Sequence, residues 1–312
     1  MTILDTSSQG IVEVAWSNTS DEIVYVKDDN QIFRTKVTEG SKPVFAAKGH
    51  YPGFTESGDI LFEKDDSIAI SKDGNEKIII KQGEILKGSA NRRPSVSPDG
   101  KKFVFVIDNI FHKESQSKNA YPYRSFFAGG ECSSSPKPKI MAKQQWYGGS
   151  VTWMTDGGFL HYEYDSTSGA RIHVVDKDGH DIAIMSGLQP SVSPDLKRIA
   201  CKPKGGQSVV VYLKKGDEWN SEDLEQTVIK LPEGGKLSGS APIWLDNRFL
   251  LIDEGGKLFR VDISKKSAEE MKKLPVPTFR GSRTMTISPD RELIAMEVER
   301  EKGFELQIHS LA

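Results

Sequence analysis

The sequence predicts an all-β chain whose four-stranded blades close into a ring, a single β-propeller. Three observations predict it. The phrase Ser-Pro-Asp occurs three times, at Ser97-Pro98-Asp99, Ser193-Pro194-Asp195 and Ser288-Pro289-Asp290. The copies lie 96 and 95 residues apart, counted from Pro98 to Pro194 to Pro289. Weaker copies fall between and before them, and periods of about 20–50 residues mark solenoids or propellers. Aligned on the turn that holds Asp99, the equivalent positions are Thr19, Ser57, Asp99, Asp156, Asp195, Asp246 and Asp290. The steps of 38, 42, 57, 39, 51 and 44 residues suit blades of about 45 residues.

Each repeat has the same order of elements. An apolar strand precedes the turn: VEVAWS, YPGFTE, PSVS, SVTWM, PSVS, APIWL and TMTIS. A second follows it: EIVYV, DILFE, KFVFV, FLHYEY, RIACK, RFLLI and LIAMEV. Third strands read QIFRTKV, SIAIS, ARIHVV, SVVVYL, KLFRVDI and FELQIHS, and fourth strands KPVFAA, KIIIK, PKIMA, DIAIM, TVIKL and EMKKL. Enrichment in β-branched and aromatic residues between turn residues marks strands. The only helical candidate is a turn at 221–226, with Ser221 as its cap. The blades fall at about 10–47, 48–87, 88–143, 144–186, 187–233, 234–275 and 276–312 plus 1–7. Seven is the reading of the alignment. Six is the alternative if the weakly marked second repeat is misaligned.

The Ser-Pro-Asp phrase has a mechanical reason. Proline presets φ at the first corner of a type I turn. The carboxylate accepts backbone N–H groups within the turn, and the serine adds a local bond. Asp99, Asp195 and Asp290 therefore read as turn residues. As catalytic acids they would sit on blades far apart around the ring. The last repeat has only three clear strands, so Met1–Thr6 is expected to supply its outer strand. That closure would pair edges otherwise left open.

Composition bounds the function. The 312 residues carry a net charge of −2, against the basic surface of a general nucleic-acid binder. No apolar run is long enough to span a membrane. MTILDTSSQG lacks the regions of a signal peptide. Cys132 and Cys201 fall in different repeats, and no disulfide framework is visible. A monomer in a reducing cytoplasm is the expectation, with a secreted or periplasmic site as the alternative if a leader has been removed.

The repeats resemble the TolB-type, WD-repeat-like propeller family. The resemblance rests on Ser-Pro-Asp-Gly-Lys-Lys-Phe at 97–103 and its two weaker copies, and extends loosely to all seven repeats. It implies the fold and little about function. The 312 residues show no α/β domain ahead of the repeats, no Gly-x-Ser-x-Gly elbow, and none of the Gly-His and Trp-Asp marks of true WD repeats.

A propeller ligand is expected where the chain enters each first strand. Those inlet segments hold His50, Tyr51, Arg92, Arg93, Trp146, Tyr147, Gln189, Arg280 and Arg283, and no carboxylate. Arginine pairs bidentately with carboxylates, so this set suits an acidic peptide, a carboxylated sugar or another small anion. The alternative is that these arginines pair with neighbouring acidic loops such as Asp65-Asp66. The longest insertion, 109–137, adds Tyr121, Tyr123 and Arg124 within an aromatic cluster running from Phe111 to Phe127. Exposed Tyr and Arg favour binding, while Arg124–Ala128 reads equally as a third strand.

No spacing argues for chemistry. Asp176-Lys177-Asp178-Gly179-His180-Asp181 is too short for a calcium loop and reads as a hairpin turn. The six histidines form no His-x-His pair. His161 and His173 fall on strands, and no metal or cofactor site is assigned. Trp16, Trp153 and Trp244 occupy equivalent first-strand positions and read as packing between blades. Three functions stay open: a non-catalytic scaffold binding a protein or peptide on the inlet face, a propeller hydrolase or lyase acting on a small anionic or sugar substrate, and a carbohydrate-binding module.

Overall fold

The computed structural model describes all residues except 28, 110–124, 144–146, 149–150, 166–168, 204–206, 233–240, 255, 278–284 and 312. Strand β1 (Thr2–Ser7) stands apart from those that follow it in the chain. Blade 1 is β2 (Ile11–Trp16), β3 (Glu22–Lys27), β4 (Gln31–Lys36) and β5 (Val44–Lys48). Blade 2 is β6 (His50–Phe54), β7 (Ile60–Lys64), β8 (Ser67–Lys72) and β9 (Asn75–Ile80). Blade 3 is β10 (Ser89–Val96), β11 (Lys102–Asn109), β12 (Ser125–Glu131) and β13 (Lys139–Lys143). Blade 4 has a split inner strand, β14 (Tyr147–Gly148) and β15 (Thr152–Trp153), then β16 (Phe159–Asp165), β17 (Gly169–Val175) and β18 (Asp181–Ser186). Blade 5 is β19 (Leu188–Val192), β20 (Arg198–Lys202), β21 (Ser208–Lys214) and β22 (Leu224–Lys230). Blade 6 is β23 (Ile243–Trp244), β24 (Phe249–Glu254), β25 (Lys257–Asp262) and β26 (Ser267–Glu270). Blade 7 is β27 (Met285–Ile287), β28 (Leu293–Arg300) and β29 (Gly303–Ser310), completed by β1. All strand pairs are antiparallel, and the blade count is seven.

The core is divided among the seven sheet-to-sheet junctions, one hydrophobic cluster at each. This follows from the period of two along a strand. In β11, Phe103, Phe105 and Ile107 face blade 2, while Val104 and Val106 face blade 4. A second strand buried on both faces must read as a near-continuous apolar run, as KFVFVI does. Each fully buried Phe or Ile contributes about 1.5–3 kcal/mol. Phe126 and Phe127 serve the same purpose, Phe127 fully buried toward blade 4 and Phe126 packed toward blade 2. The rest of the 109–137 cluster, Tyr121, Tyr123 and Arg124 included, lies outside the described residues.

The Ser-Pro-Asp turns repeat one hydrogen-bond set. Ser97 Oγ donates to Asp99 Oδ1 at 2.6 Å, Lys101 N donates to the same oxygen at 3.0 Å, and Lys102 N donates to Ser97 Oγ at 2.9 Å. Ser193 and Ser288 build the same turn with Asp195 and Asp290. Burial opposes the charge of Asp99 and Asp195, but the serine and amide bonds hold both carboxyls below their usual range. The residue after the aspartate is left-handed: Gly100 at φ 73°, Leu196 at 57° and Arg291 at 65°. Gly100 cannot be replaced freely, because a Cβ there would lie 2.3 Å from the Glu56 amide nitrogen of blade 2.

The three tryptophans join blades. Trp16 Nε1 donates to Thr286 O of blade 7 at 3.3 Å, Trp153 Nε1 to Ser95 O of blade 3 at 3.1 Å, and Trp244 Nε1 to Ser191 O of blade 5 at 3.2 Å. Closure is made by β1 against β29, from Thr2↔Ile308 to Ser7↔Phe304. Leu4 is buried at the junction of blades 7 and 1. Asp5 accepts the Tyr25 hydroxyl at 2.7 Å and pairs with Lys27 at 3.0 Å, both on β3. Gly303 gives β1 its close approach, since a Cβ would meet Ser7 O at 2.4 Å.

The closing strand is Thr2–Ser7, within the 1–7 expected to complete blade 7. Two local expectations are corrected. In blade 6 the fourth strand is Ser267–Glu270 rather than EMKKL, because the chain turns tightly after β25 and pairs Asp262 with Ser267 at once. The 221–226 segment forms only a 3-10 turn at Ser221–Asp223, capped by Asn220, and the Ser221 hydroxyl instead accepts the Ile184 amide at 2.8 Å. Among the described residues no helix is long and apolar enough to cross a membrane. Both cysteines are free thiols, Cys201 buried with its pKa pushed up to about 12.

Deleting residues 1–7 is expected to lower the melting temperature of the whole ring and broaden its transition, read by thermal unfolding. A truncated chain that melts like the full chain would contradict closure by β1. Gly100→Ala is expected to cost about 1–3 kcal/mol in denaturant unfolding, from the clash with blade 2 and the left-handed φ.

Candidate functional site

The inner strands of blades 1, 2, 3 and 5 carry the same bulge. The register slips between Val12 and Ala15, His50 and Gly53, Arg92 and Ser95, and Leu188 and Ser191. At each bulge a non-glycine residue is left-handed: Glu13 at φ 56°, Tyr51 at 51°, Arg93 at 50° and Gln189 at 52°. Each stands four residues before the turn residue Ser17, Thr55, Ser97 or Ser193. Bulges re-aim side chains and increase local twist.

Carboxylates of the preceding blade hold two of these bulges. Tyr51 N donates to Glu13 Oε2 at 2.6 Å, and Arg93 N donates to Glu63 Oε2 at 2.8 Å. The Ile11 amide donates likewise to Glu297 of blade 7. Beside the second and third bulges lies an open pocket of about 340 Å³, lined by Asn30, Lys48, His50, Glu63, Asp66 and Arg92 among others. Arg92 bridges Glu63 at 3.1 Å and Asp66 at 2.6 Å, with 41% of its side chain still exposed. His50 Nδ1 lies 3.7 Å from Glu13 Oε1. Its bond to Glu13 raises the His50 pKa above 6.5, against the opposing effects of burial and of the Arg92 charge.

The structure thus brings His50, Tyr51, Arg92 and Arg93 to one corner of the inlet mouth and sets Gln189 at the equivalent place in blade 5. Tyr147 opens β14. Its side chain lies outside the described residues, as do Trp146, Arg280 and Arg283. The entry segments hold no carboxylate, but neighbouring elements bring them in: Arg92 pairs with Asp66, as the alternative reading expected, and Glu13 and Glu63 stand among the arginines from their strands. Glu13 was legible by its spacing from Ser17. Glu63 was legible as a charge interrupting the apolar run ILFEK at a second-strand position where blades 1 and 3 carry Val26 and Val106.

A second titratable cluster lies within blade 4. His161 and His173 pair across β16 and β17, and their rings stack at 4.6 Å and 8°. His173 Nε2 is 3.3 Å from Glu163 and its Nδ1 is 3.4 Å from Asp181. Ligand atoms of His161, His173 and Asp181 come within 4.8 Å of one another. A metal lies in the plane of each imidazole it binds, at about 2.0–2.1 Å. Two parallel stacked rings share no such point, so these residues do not fit a metal in this arrangement. They form a neutral imidazole stacked on an imidazolium. Burial and the His173 charge drive the His161 pKa well below 6.5. Burial opposes the His173 charge, but Asp181 and Glu163 outweigh it and hold its pKa at about 9.

No family model matches the chain, and no curated protein matches its sequence. Solved propellers match its fold. An oligogalacturonate lyase in complex with manganese is 10% identical, with a TM-score of 0.66 over 99% of this chain and 90% of that one. The Swd1 β-propeller domain of Myceliophteria thermophila is 9% identical, with a TM-score of 0.65 over 100% and 99%. The Dos1 propeller is 11% identical, with a TM-score of 0.61 over 100% and 96%. An enzyme and two other propellers of unlike name thus share one architecture with this chain, and the likeness shows the fold.

The histidine pair sets a pH window. The His173 contribution is fully present below its unfolded pKa near 6.5 and is lost as pH rises through about 9. For His161 the unfolded chain takes up the proton more readily, so stability falls as pH drops below about 6.5. Melting temperature, referenced to His161→Phe/His173→Phe, is expected to peak near pH 6.5, fall steadily from there to about 9, and fall again on the acid side. A difference that does not vary with pH would contradict the stacked ion.

Proposed function

We propose that this chain is a non-catalytic binding propeller that recognises a protein or peptide partner at the inlet mouth. The observation that carries the reading is the set of left-handed residues at equivalent positions with unlike side chains: an acid, a phenol, a guanidinium and an amide. A left-handed non-glycine residue costs on the order of 1–3 kcal/mol, and such strain collects at functional sites. Unlike chemistry at equivalent places suits one asymmetric ligand laid across the mouth, as a peptide is, better than one pocket repeated per blade. Arg92, Arg93 and His50 favour an acidic segment, while Glu13 and Glu63 orient them. The Ser-Pro-Asp turns support assignment to the TolB-type form of the fold. A monomer in the cytoplasm belongs to the same proposal, and the two free thiols agree with a reducing compartment.

A second reading has its own observation. A histidine whose charge is favoured by Glu13 and which lies near Arg92 could protonate a bound anion. Under that reading the chain is a hydrolase or lyase for a small anionic or sugar substrate. The fold-level likeness to an oligogalacturonate lyase is analogy only.

The test is a selection of random displayed peptides on the wild-type protein, scored again on Tyr51→Ala/Arg93→Ala. Both substitutions leave the Arg92 ion pairs and the bulge amides in place. Selected peptides are expected to bind at about micromolar Kd and to lose roughly tenfold or more on the double variant. Peptides that bind both proteins equally would move recognition off this mouth. A failure to select any peptide would favour the small-substrate reading.

A further inference from the structure

The opposite end of the channel holds a second cavity. Where the inner strands run into the Ser-Pro-Asp turns, a cavity of about 450 Å³ opens. Six of the seven blades line it, and its wall is mostly apolar: Trp16, Trp153, Trp244, Val192 and Ile287 with the three motif prolines. Among the described residues the only charged one in that lining is Arg291. Arg291 donates Nη1 to Trp244 O, and its guanidinium has no other hydrogen bond or ion pair among the described residues. Most of its five N–H groups are thus left for a ligand. Burial lowers the Arg291 pKa, and the charge of the nearby Asp246, which forms no ion pair with it, offsets this in part. Inside the wall the Ser191 hydroxyl is buried and lacks a partner.

The backbone gives an independent reason. The corner after the motif aspartate is glycine in blade 3, where a left-handed φ is free of strain. In blades 5 and 7 the same corner holds Leu196 at φ 57° and Arg291 at φ 65°, and both side chains line the cavity. Glycine at those corners would relieve the strain and forfeit the lining. A left-handed leucine is a true outlier that asks for an explanation.

We infer that this mouth binds a small amphipathic monoanion, a carboxylate or sulfonate on an apolar or aromatic body, with the anion on Arg291 and the body against the tryptophans. The volume suits a small molecule. A single guanidinium in an apolar wall selects one negative charge.

The experiment uses anilinonaphthalene sulfonate and its uncharged relative N-phenyl-naphthylamine on the full chain, with energy transfer from tryptophan as the readout. Wild type is expected to bind both, the sulfonate more tightly. Arg291→Gln is expected to weaken the sulfonate about tenfold or more and leave the neutral amine unchanged. Leu196→Gly, which relaxes the backbone but removes a side chain packed against the junction of blades 4 and 5, is expected to weaken both about threefold to tenfold at a temperature where the variant is fully folded. The inference is overturned if wild type binds neither dye, if Arg291→Gln leaves the sulfonate affinity unchanged, or if Leu196→Gly leaves both unchanged. These outcomes are independent of peptide binding at the inlet mouth.

Discussion

A tryptophan N–H given to the inner strand of the blade before it is the contact on which the ring is organised. The acceptors Ser95, Ser191 and Thr286 each stand two residues before a Ser-Pro-Asp serine. Blades 3, 5 and 7 therefore supply a proline-cornered turn and a carbonyl, and blades 4, 6 and 1 supply the indole. The structural unit is a pair of blades, which explains why the motif recurs at 96 and 95 residues rather than at one blade length. Buried, such a bond is worth only about 1 kcal/mol net, but leaving its partners unmet costs more.

Seven is odd, so one blade has no partner. Blade 2 carries Phe54 where blades 1, 4 and 6 have tryptophan, and Thr55 and Ser57 in place of the motif. Its junctions are made by other means. Glu13 and Glu63 reach forward to the bulge amides of Tyr51 and Arg93, Arg92 reaches back to Glu63 and Asp66, and Glu56 N donates to Gly100 O at 2.9 Å. The charged pocket of the inlet mouth lies at these junctions. Where the regular clamp is missing, polar groups do the joining, and polar groups are what a partner can read. The opposite mouth, where the tryptophans gather, is mostly apolar, and Arg291 is its one charged side chain among the described residues.

How far the sequence could be read follows from these contacts. Strands and turns were legible because they depend on neighbours in the chain: the period of two, the proline corner, the short polar turns. Closure was legible because the last repeat lacked a strand. The inlet residues were legible as a group, since the alignment places them together. Asp66 was legible as a loop partner and Glu63 as a charge out of place in an apolar strand, but that both converge on Arg92 was not, because they come from a different strand and a different loop and only the sheet brings them within reach. The cavity at the turn side was hidden for a similar reason. Leu196 and Arg291 look like ordinary turn residues until a left-handed φ swings them over the channel.

The most direct measurement is hydrogen exchange at the indole N–H groups, followed by NMR on the native protein. If the inter-blade bonds organise the ring, the protons of Trp16, Trp153 and Trp244 exchange only through global unfolding, with one shared free energy. Exchange of any of the three at a rate near that of an open indole, or at clearly different free energies, would contradict the paired-blade account.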